Sequence, residues 1–317
     1  MSSNAQIVIS QFGGPEQLNI LTTEIPQPQA GEVLVKVAFS GVNPIDVKTR
    51  AGIGWAAEHN KNNLPWTPGY DVSGVVVKQG IGSEKFNLND MVSGFIGFPL
   101  RGGGYSQYLC VSETELALVP EDISLKAAAA IPLAGQTAAQ ALEKAQIQSG
   151  ETVLILAGAG GVGHIAVQIA VAAKTKVYAT CCEDNKSYIE ILGGTAIDYN
   201  NPSELEALNH VDVMIDLVGG EAAIKAMACL HPGSRVITVP TITSSMVCSH
   251  AAELGIIGMG MLVEPDTVQL EELLGLISAG MLKVEVEQCF AMNEVAQAHL
   301  KIESGHARGK ILLDMQM

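Results

Sequence analysis

Two patterns of apolar and polar positions divide the chain. Up to about residue 120, short β-rich runs such as "GEVLVKVAFSGV", "DVSGVVVKQG", "DMVSGFIGF" and "YSQYLCV" are separated by Gly and Pro. Strands punctuated by turn signals predict an antiparallel, barrel-like domain. The character then changes. "SLKAAAAIPLAGQTAAQALEKA" is Ala-rich and predicts helix, broken at Pro132. Beyond it the apolar runs "TVLILA", "TKVYAT", "VDVMIDLV" and "SRVITV" alternate with the helical stretches "HIAVQIAVAAK", "KSYIEILG" and "EAAIKAMACL". This βαβ alternation predicts a parallel sheet covered on both faces. The tail mixes helix and strand and closes on "GKILLDM", a strand expected to rejoin the first domain. The fold class is therefore α/β. A β-rich domain over 1–122, with 264–317 returning to it, carries an inserted doubly wound parallel sheet over 123–263.

One stretch, "TVLILAGAGGVGHIAVQIAV" (152–171), is apolar enough to raise the question of a membrane span. Its internal pattern excludes that reading. Thr152–Ala157 suits a buried strand, four glycines would break a helix in its middle, and Ile165, Ala166, Ile169 and Ala170 fall at helical spacing. The order is strand, tight turn, helix. The turn reads G-x-G-x-x-G at Gly158, Gly160 and Gly163, with Gly161 and Val162 completing it. In this setting the first glycine permits the turn and the second admits a pyrophosphate close to the backbone. The third lets helix and strand pack closely, and the helix N-terminus offers N–H groups to phosphate. Dinucleotide binding is the expectation; a tight βα turn without a ligand is the alternative.

Composition narrows the classes. The 317 residues are 48 % hydrophobic and 16 % charged, as in a compact folded chain with room for two domains. A formal net charge of −15 argues against nucleic acid and anionic membranes as partners. An anionic cofactor must then be held by local groups. The six cysteines (110, 181, 182, 229, 248, 289) form no C-x-x-C pair, and the seven histidines are dispersed. Such cysteines fit a reducing compartment. "MSSNAQIVIS" lacks a basic region followed by an apolar core, so a cytoplasmic location is expected.

The motifs "GVNPIDVKTRAG" (41–52), "PGYDVSGVVVK" (68–78), "GGGYSQY", "GQTAAQAL", "AGAGGVGHIAVQIA" and "ARGKILL" occur in this order along nearly the whole chain. As a set they resemble the medium-chain dehydrogenase/reductase superfamily, in its zinc-free quinone oxidoreductase branch. Asn43-Pro44, Lys48 and Gly69-Tyr70-Asp71 look most like the alkenal/one and NADPH:quinone reductases. The resemblance implies a GroES-like catalytic domain made from both chain ends and an inserted Rossmann domain. It also implies NADPH in the cleft between them and often a homodimer through the Rossmann domains. The apolar run "GIIGMGMLV" (255–263) reads as an uncovered strand able to pair with a second chain.

The resemblance also sharpens the chemistry. Zinc-dependent members carry Cys where Asn43 stands and Gly-His-Glu where Gly69-Tyr70-Asp71 stand, and the Cys-rich lobe for a second zinc is missing here. No metal is expected, since zinc needs three or four N or S ligands in one place. Reduction of a conjugated C=C or a quinone suits such a site. Hydride from a nicotinamide goes to carbon, charge moves onto a carbonyl oxygen, and a hydrogen-bond donor steadies it. The candidate donors are Asn43, Lys48 and Tyr70. Each has a plainer reading: a turn at Asn43-Pro44, a solvated Lys48, and a buried Tyr70 with its hydroxyl capped. Asp46 and Asp71 are expected to order backbone N–H groups. The function expected is an NADPH-dependent, metal-free reductase of quinones or α,β-unsaturated carbonyls acting on a small-molecule substrate. Enoyl-thioester or other alkene reduction, and nucleotide binding without turnover, are the alternatives.

On the cofactor side, the resemblance places Thr137 near the nicotinamide; a helix-start threonine is the other reading. Val218 and Gly219 follow an apolar strand whose C-terminus should line the crevice. Arg308 and Lys310 are expected at the cleft, or as solvated charges at a strand end. NADPH is favoured over NADH because the second Rossmann strand ends at neutral Thr180 and Cys181, where an NAD site carries an acid. Lys186 lies within reach of a 2′-phosphate. Glu183 and Asp184 intervene, so both are expected to point into solvent with Lys186 turned inward.

Overall fold

The computed structural model describes residues 3–316. The chain forms two compact units. One runs up to Gln136 and resumes at Pro265; the other is continuous over Thr137–Glu264.

The first unit is built on a seven-stranded sheet. Its order is Val286–Ala291, Lys310–Asp314, Glu32–Val42, Asp71–Gln79, Met91–Phe95 and Leu116–Leu118, with Tyr108–Ser112 also pairing to Glu32–Val42. Ser3–Ile9 and Leu18–Glu24 make a separate antiparallel ladder. The hub strand, "EVLVKVAFSGV", is rich in β-branched residues and mostly buried, as a central strand requires. Ile7, Val35, Val72, Phe86, Val92 and Ile311 fill the core at 1 % exposure or less, each contributing roughly 1.5–3 kcal/mol of apolar burial. Register then decides the chemistry. Asp71 lies opposite Gly41, and Ile311 opposite Val42, so strands distant in sequence converge on the segment 41–43.

The boundary differs from the expected one. The helix Leu125–Ala130, which the sequence pattern assigns to the second domain, lies on the first unit's sheet. Ser73 and Ser93 donate hydroxyl hydrogen bonds to its carbonyls at Leu125 and Ala128 (2.6 and 2.7 Å). Pro132 does end that helix, but it also opens the next, Pro132–Ala145. Proline at a first helical position has no N–H to leave unpaired. The units therefore divide within that second helix, after Gln136.

The second unit is a six-stranded parallel sheet in the order Thr195–Asp198, Lys176–Cys181, Thr152–Ile155, Val211–Asp216, Leu230–Thr238, Ile257–Gly260. Numbered along the chain this is 3-2-1-4-5-6, the doubly wound order. Val153, Leu154 and Ile155 are fully buried, which explains why that strand reads as an unbroken apolar run. Ile257–Gly260 pairs with one neighbour only, so it forms an edge of the sheet.

Candidate active site

The strand order reverses between the first strand, Thr152–Ile155, and the fourth, Val211–Asp216, which run parallel side by side. Ligands of such sheets bind at this switch point, beyond the strand C-termini. Both loops there are built for close approach. A Cβ at Gly158 would lie 2.5 Å from the Ala179 side chain, and one at Gly163 would lie 2.1 Å from the Ala157 carbonyl oxygen. At Gly160 a Cβ would meet only that carbonyl, at 3.2 Å, so the face is otherwise open. Ala157 takes a left-handed φ of 54° to make the turn. Thr180 secures the loop: its carbonyl accepts from Gly158 N–H and its hydroxyl from Ala157 N–H. No side chain among the described residues caps the N-terminus of the helix Gly163–Ala172. The turn Gly158–Gly163 thus leaves a backbone face that a ligand can approach closely at Gly160. On the other side of the switch point, buried Asp216 accepts from Val218 and Gly219 N–H (3.0 and 2.7 Å). Gly219 has φ 80°, and Val218 is 49 % exposed.

Around the second strand's end the side chains differ from the expected pattern. Cys181 is buried, and burial pushes its thiol up to about 11. Lys186 is not a free cation. Its ammonium pairs with Glu183 at 2.8 Å and Glu204 at 2.9 Å, and these hydrogen bonds raise its pKa. Glu183 and Asp184 are exposed as expected, but Glu183 still holds Lys186. Glu204 is itself fixed by Asp198 N–H at 2.8 Å.

In the first unit, Asn43 precedes a short helix, Pro44–Arg50, so Asn43-Pro44 is a helix start and not a simple turn. Asp46 accepts from the N–H groups of Asn43 and Gly69, both at 2.9 Å. Asp46 is fully buried, and burial drives its carboxyl up to about 7 against the pull of those two donors. Burial and the nearby Asp46 raise the pKa of Tyr105, and its hydroxyl lies 3.3 Å from His299 Nε2. Burial holds His299 down at about 3, so it is neutral.

The expected donors fare differently. Tyr70 is fully buried and its hydroxyl donates to the Pro99 carbonyl (2.9 Å), the plainer reading made at the sequence level. Lys48 is half-buried; desolvation lowers its pKa, and no hydrogen bond or ion pair engages its ammonium among the described residues. Asn43 is 2 % exposed. Its Nδ2 donates to Asp71 Oδ2 at 2.9 Å, and its Oδ1 accepts from Lys310. Lys310 also pairs with Asp71 at 3.1 Å. At 3 % exposure it is not a solvated strand-end charge. Arg308, two residues earlier, pairs with Glu285 at 3.2 Å. Thr137 is buried, at 2 % exposure.

Asp71 is the hub that sequence reasoning undervalued. It does order a backbone group, Leu133 N–H at 2.7 Å, but it also takes Asn43 and Lys310. Gly41 makes room for it: a Cβ there would come within 2.5 Å of Asp71 Oδ2. The available signal was an acid opening "DVSGVVV" and a lysine opening "KILLD". A charge leading an apolar strand needs an internal partner. The residues here do not suit a metal. An ammonium fills the position beside Asp71, and among the described residues no three His, Cys, Asp or Glu side chains gather to hold an ion. A cavity of about 460 Å³ also opens in the β-rich unit, near Trp66, Arg101 and Cys110; no candidate side chain lines it.

A doubly wound dinucleotide-type sheet inserted into a β-rich unit with a buried polar centre defines a two-domain oxidoreductase architecture. Two family models match: "Alcohol dehydrogenase GroES-like domain" over residues 29–121 and "Zinc-binding dehydrogenase" over 192–313. The chain is 33 % identical to 2-methylene-furan-3-one reductase of Solanum lycopersicum, covering 91 % of this chain and 73 % of that one. It is 31 % identical to the chloroplastic NADPH-dependent alkenal/one oxidoreductase of Arabidopsis thaliana, covering 96 % and 78 %. The solved quinone oxidoreductase of Coxiella burnetii superposes with a TM-score of 0.95 at 37 % identity, over 99 % of each chain. The chain belongs to the medium-chain dehydrogenase/reductase superfamily, in its quinone oxidoreductase branch. No helix is long and apolar enough to cross a membrane among the described residues.

Proposed function

We propose that the protein reduces quinones or α,β-unsaturated carbonyl compounds with NADPH, without a metal. The observation that carries this reading is the open glycine loop at the switch point of a 3-2-1-4-5-6 sheet, in a chain similar to an alkenal/one and a quinone oxidoreductase. The dihydronicotinamide, when bound, supplies hydride to the electrophilic carbon. The π pair then moves onto the carbonyl oxygen, and a proton completes the reduced product. The protein's part is to hold the pyrophosphate at Gly158–Gly163 and to present a donor to that oxygen. Lys48 suits this role, since its half-buried ammonium has no competing partner among the described residues. Asn43 suits it through an N–H that its partners leave unused. Tyr70 contributes packing, its hydroxyl being spent on Pro99.

NADPH over NADH rests on Lys186 leaving its carboxylate partners for a 2′-phosphate, with Thr180 and Cys181 leaving room. Thr137, Val218 and Gly219 complete the cofactor contacts, with Arg308 a further candidate. The protein assembles as a homodimer through the Ile257–Gly260 edge, where Ile257 is 53 % exposed. Loss of NADPH absorbance with a panel of quinones, alkenals and enoyl thioesters tests the activity. Reduction of no member would refute it, and turnover confined to thioesters would redirect it. Single-chain mass by light scattering would refute the dimer.

A further inference from the structure

We propose that Lys310 and Asp71 are positioning residues that fix and polarise the carboxamide of Asn43; this rests on the reading of Asn43 as a donor to the developing oxyanion. The two ends of a carboxamide are alike in shape and opposite in hydrogen bonding, so an unconstrained one turns over easily. Here the neighbours tell the ends apart. A lysine ammonium, which can only donate, faces Oδ1, and a carboxylate faces Nδ2 at 2.9 Å. Turning the amide over would set N–H against ammonium and carbonyl against carboxylate. Exposures of 3 %, 2 % and 0 % for Lys310, Asn43 and Asp71 leave no solvent to soften that clash.

The partners are themselves anchored. Lys310 pairs with Asp71 at 3.1 Å, Asp71 accepts from Leu133 N–H at 2.7 Å, and Asn43 N–H is tied to Asp46 at 2.9 Å. Asn43 Nδ2 carries two hydrogens. One goes to Asp71, and the second has no acceptor among the described residues. With a cation on Oδ1, electron density is drawn away from nitrogen and the remaining N–H becomes a stronger donor. Lys310 thus acts on substrate through Asn43 and not through the cofactor.

The double variant Asp71→Asn/Lys310→Met removes both charges together, which avoids stranding one of them. With NADPH and a naphthoquinone as probes, kcat should fall about tenfold or more while the NADPH dissociation constant stays within about twofold. Placed on Asn43→Ala, the same pair of changes should cost less than about twofold further, because the group they act through is gone. A folded double variant with wild-type kcat, or effects that multiply in the Asn43→Ala background, would overturn the inference and leave the Asn43 reading intact. Wild-type turnover by Asn43→Ala would remove both. A measurement on the wild-type chain covers failure of the variants to fold. With asparagine side chains labelled with ¹⁵N, the Asn43 amide pair, identified by its loss in Asn43→Ala, should exchange slowly with D₂O. Exchange as fast as that of exposed amides would show that the carboxamide is not held.

Discussion

Two lysines meet carboxylates in this chain under opposite conditions. Lys310 sits at 3 % exposure with one carboxylate, Asp71, and one carboxamide. Lys186 sits near the surface between Glu183, 71 % exposed, and Glu204. Both are the same side chain at similar distances, yet they do different work. The buried ammonium cannot leave, since neither charge has water to turn to, and it serves as a fixed part of the fold. The exposed one exchanges partners at little cost, because solvent screens each pairing. The first arrangement can hold geometry, and the second leaves its ammonium able to change partners.

Breaking the buried pair should have the largest effect. Lys310→Met leaves Asp71 charged and unpaired, and should cost about 3–5 kcal/mol of stability by urea unfolding. A loss below about 1 kcal/mol would place Lys310 with the surface lysines.

The next effect is pH dependence around Asp46. Its pKa rises from 3.8 to about 7 on folding. An acid with a raised folded pKa binds its proton more tightly in the native state. Stability is therefore present below about pH 4 and is lost as pH climbs to about 7, by up to about 4 kcal/mol. Asp46→Asn should flatten that slope relative to wild type in unfolding curves across this window. Parallel slopes would mean that Asp46 stays ionised throughout.

A smaller change tests the space around Asp71. Gly41→Ala places a methyl 2.5 Å from Asp71 Oδ2 and should cost roughly 1–3 kcal/mol as the carboxylate shifts. Turnover should fall with it, and undisturbed kcat would uncouple the polar centre from catalysis.

The smallest effect belongs to the surface lysine. Lys186→Ala should leave the melting temperature unchanged and lower the kcat/KM preference for NADPH over NADH on the order of tenfold. Glu204→Gln should move the preference the other way by releasing Lys186. An unchanged ratio in both would free cofactor choice from this cluster.

The second unit was the more legible in sequence, for a physical reason. Its strands and helices are contiguous, buried on periodic faces, and marked by glycines whose spacing is set by a local turn. Thr152–Ile155, the loop and Gly163–Ala172 all fall where the pattern places them. The polar centre was less legible because register creates it. Asn43 and Lys310 are 267 positions apart, and nothing local to either announces the other. Lys310 accordingly reads as a cofactor or surface residue until the strand Lys310–Asp314 is laid beside Glu32–Val42. Lys186 shows another limit: its partner Glu204 lies in a helix two elements on. The boundary at 122 was placed by composition, whereas the Ala-rich helix is held by hydroxyls of the first sheet.

The closing strand has a consequence for biosynthesis. Asp71 leaves the ribosome 239 positions ahead of the ammonium that neutralises it, a delay of roughly 10–50 s at ordinary translation speeds. Through that interval the nascent β-rich sheet lacks both its closing strand and its internal countercharge, while every strand of the contiguous 137–264 unit has already been made. The inserted unit thus has its full set of strands before the β-rich sheet does. A chain that stops short of residue 310 would keep Asp71 without its internal countercharge, so it should be cut faster than the full chain in limited proteolysis.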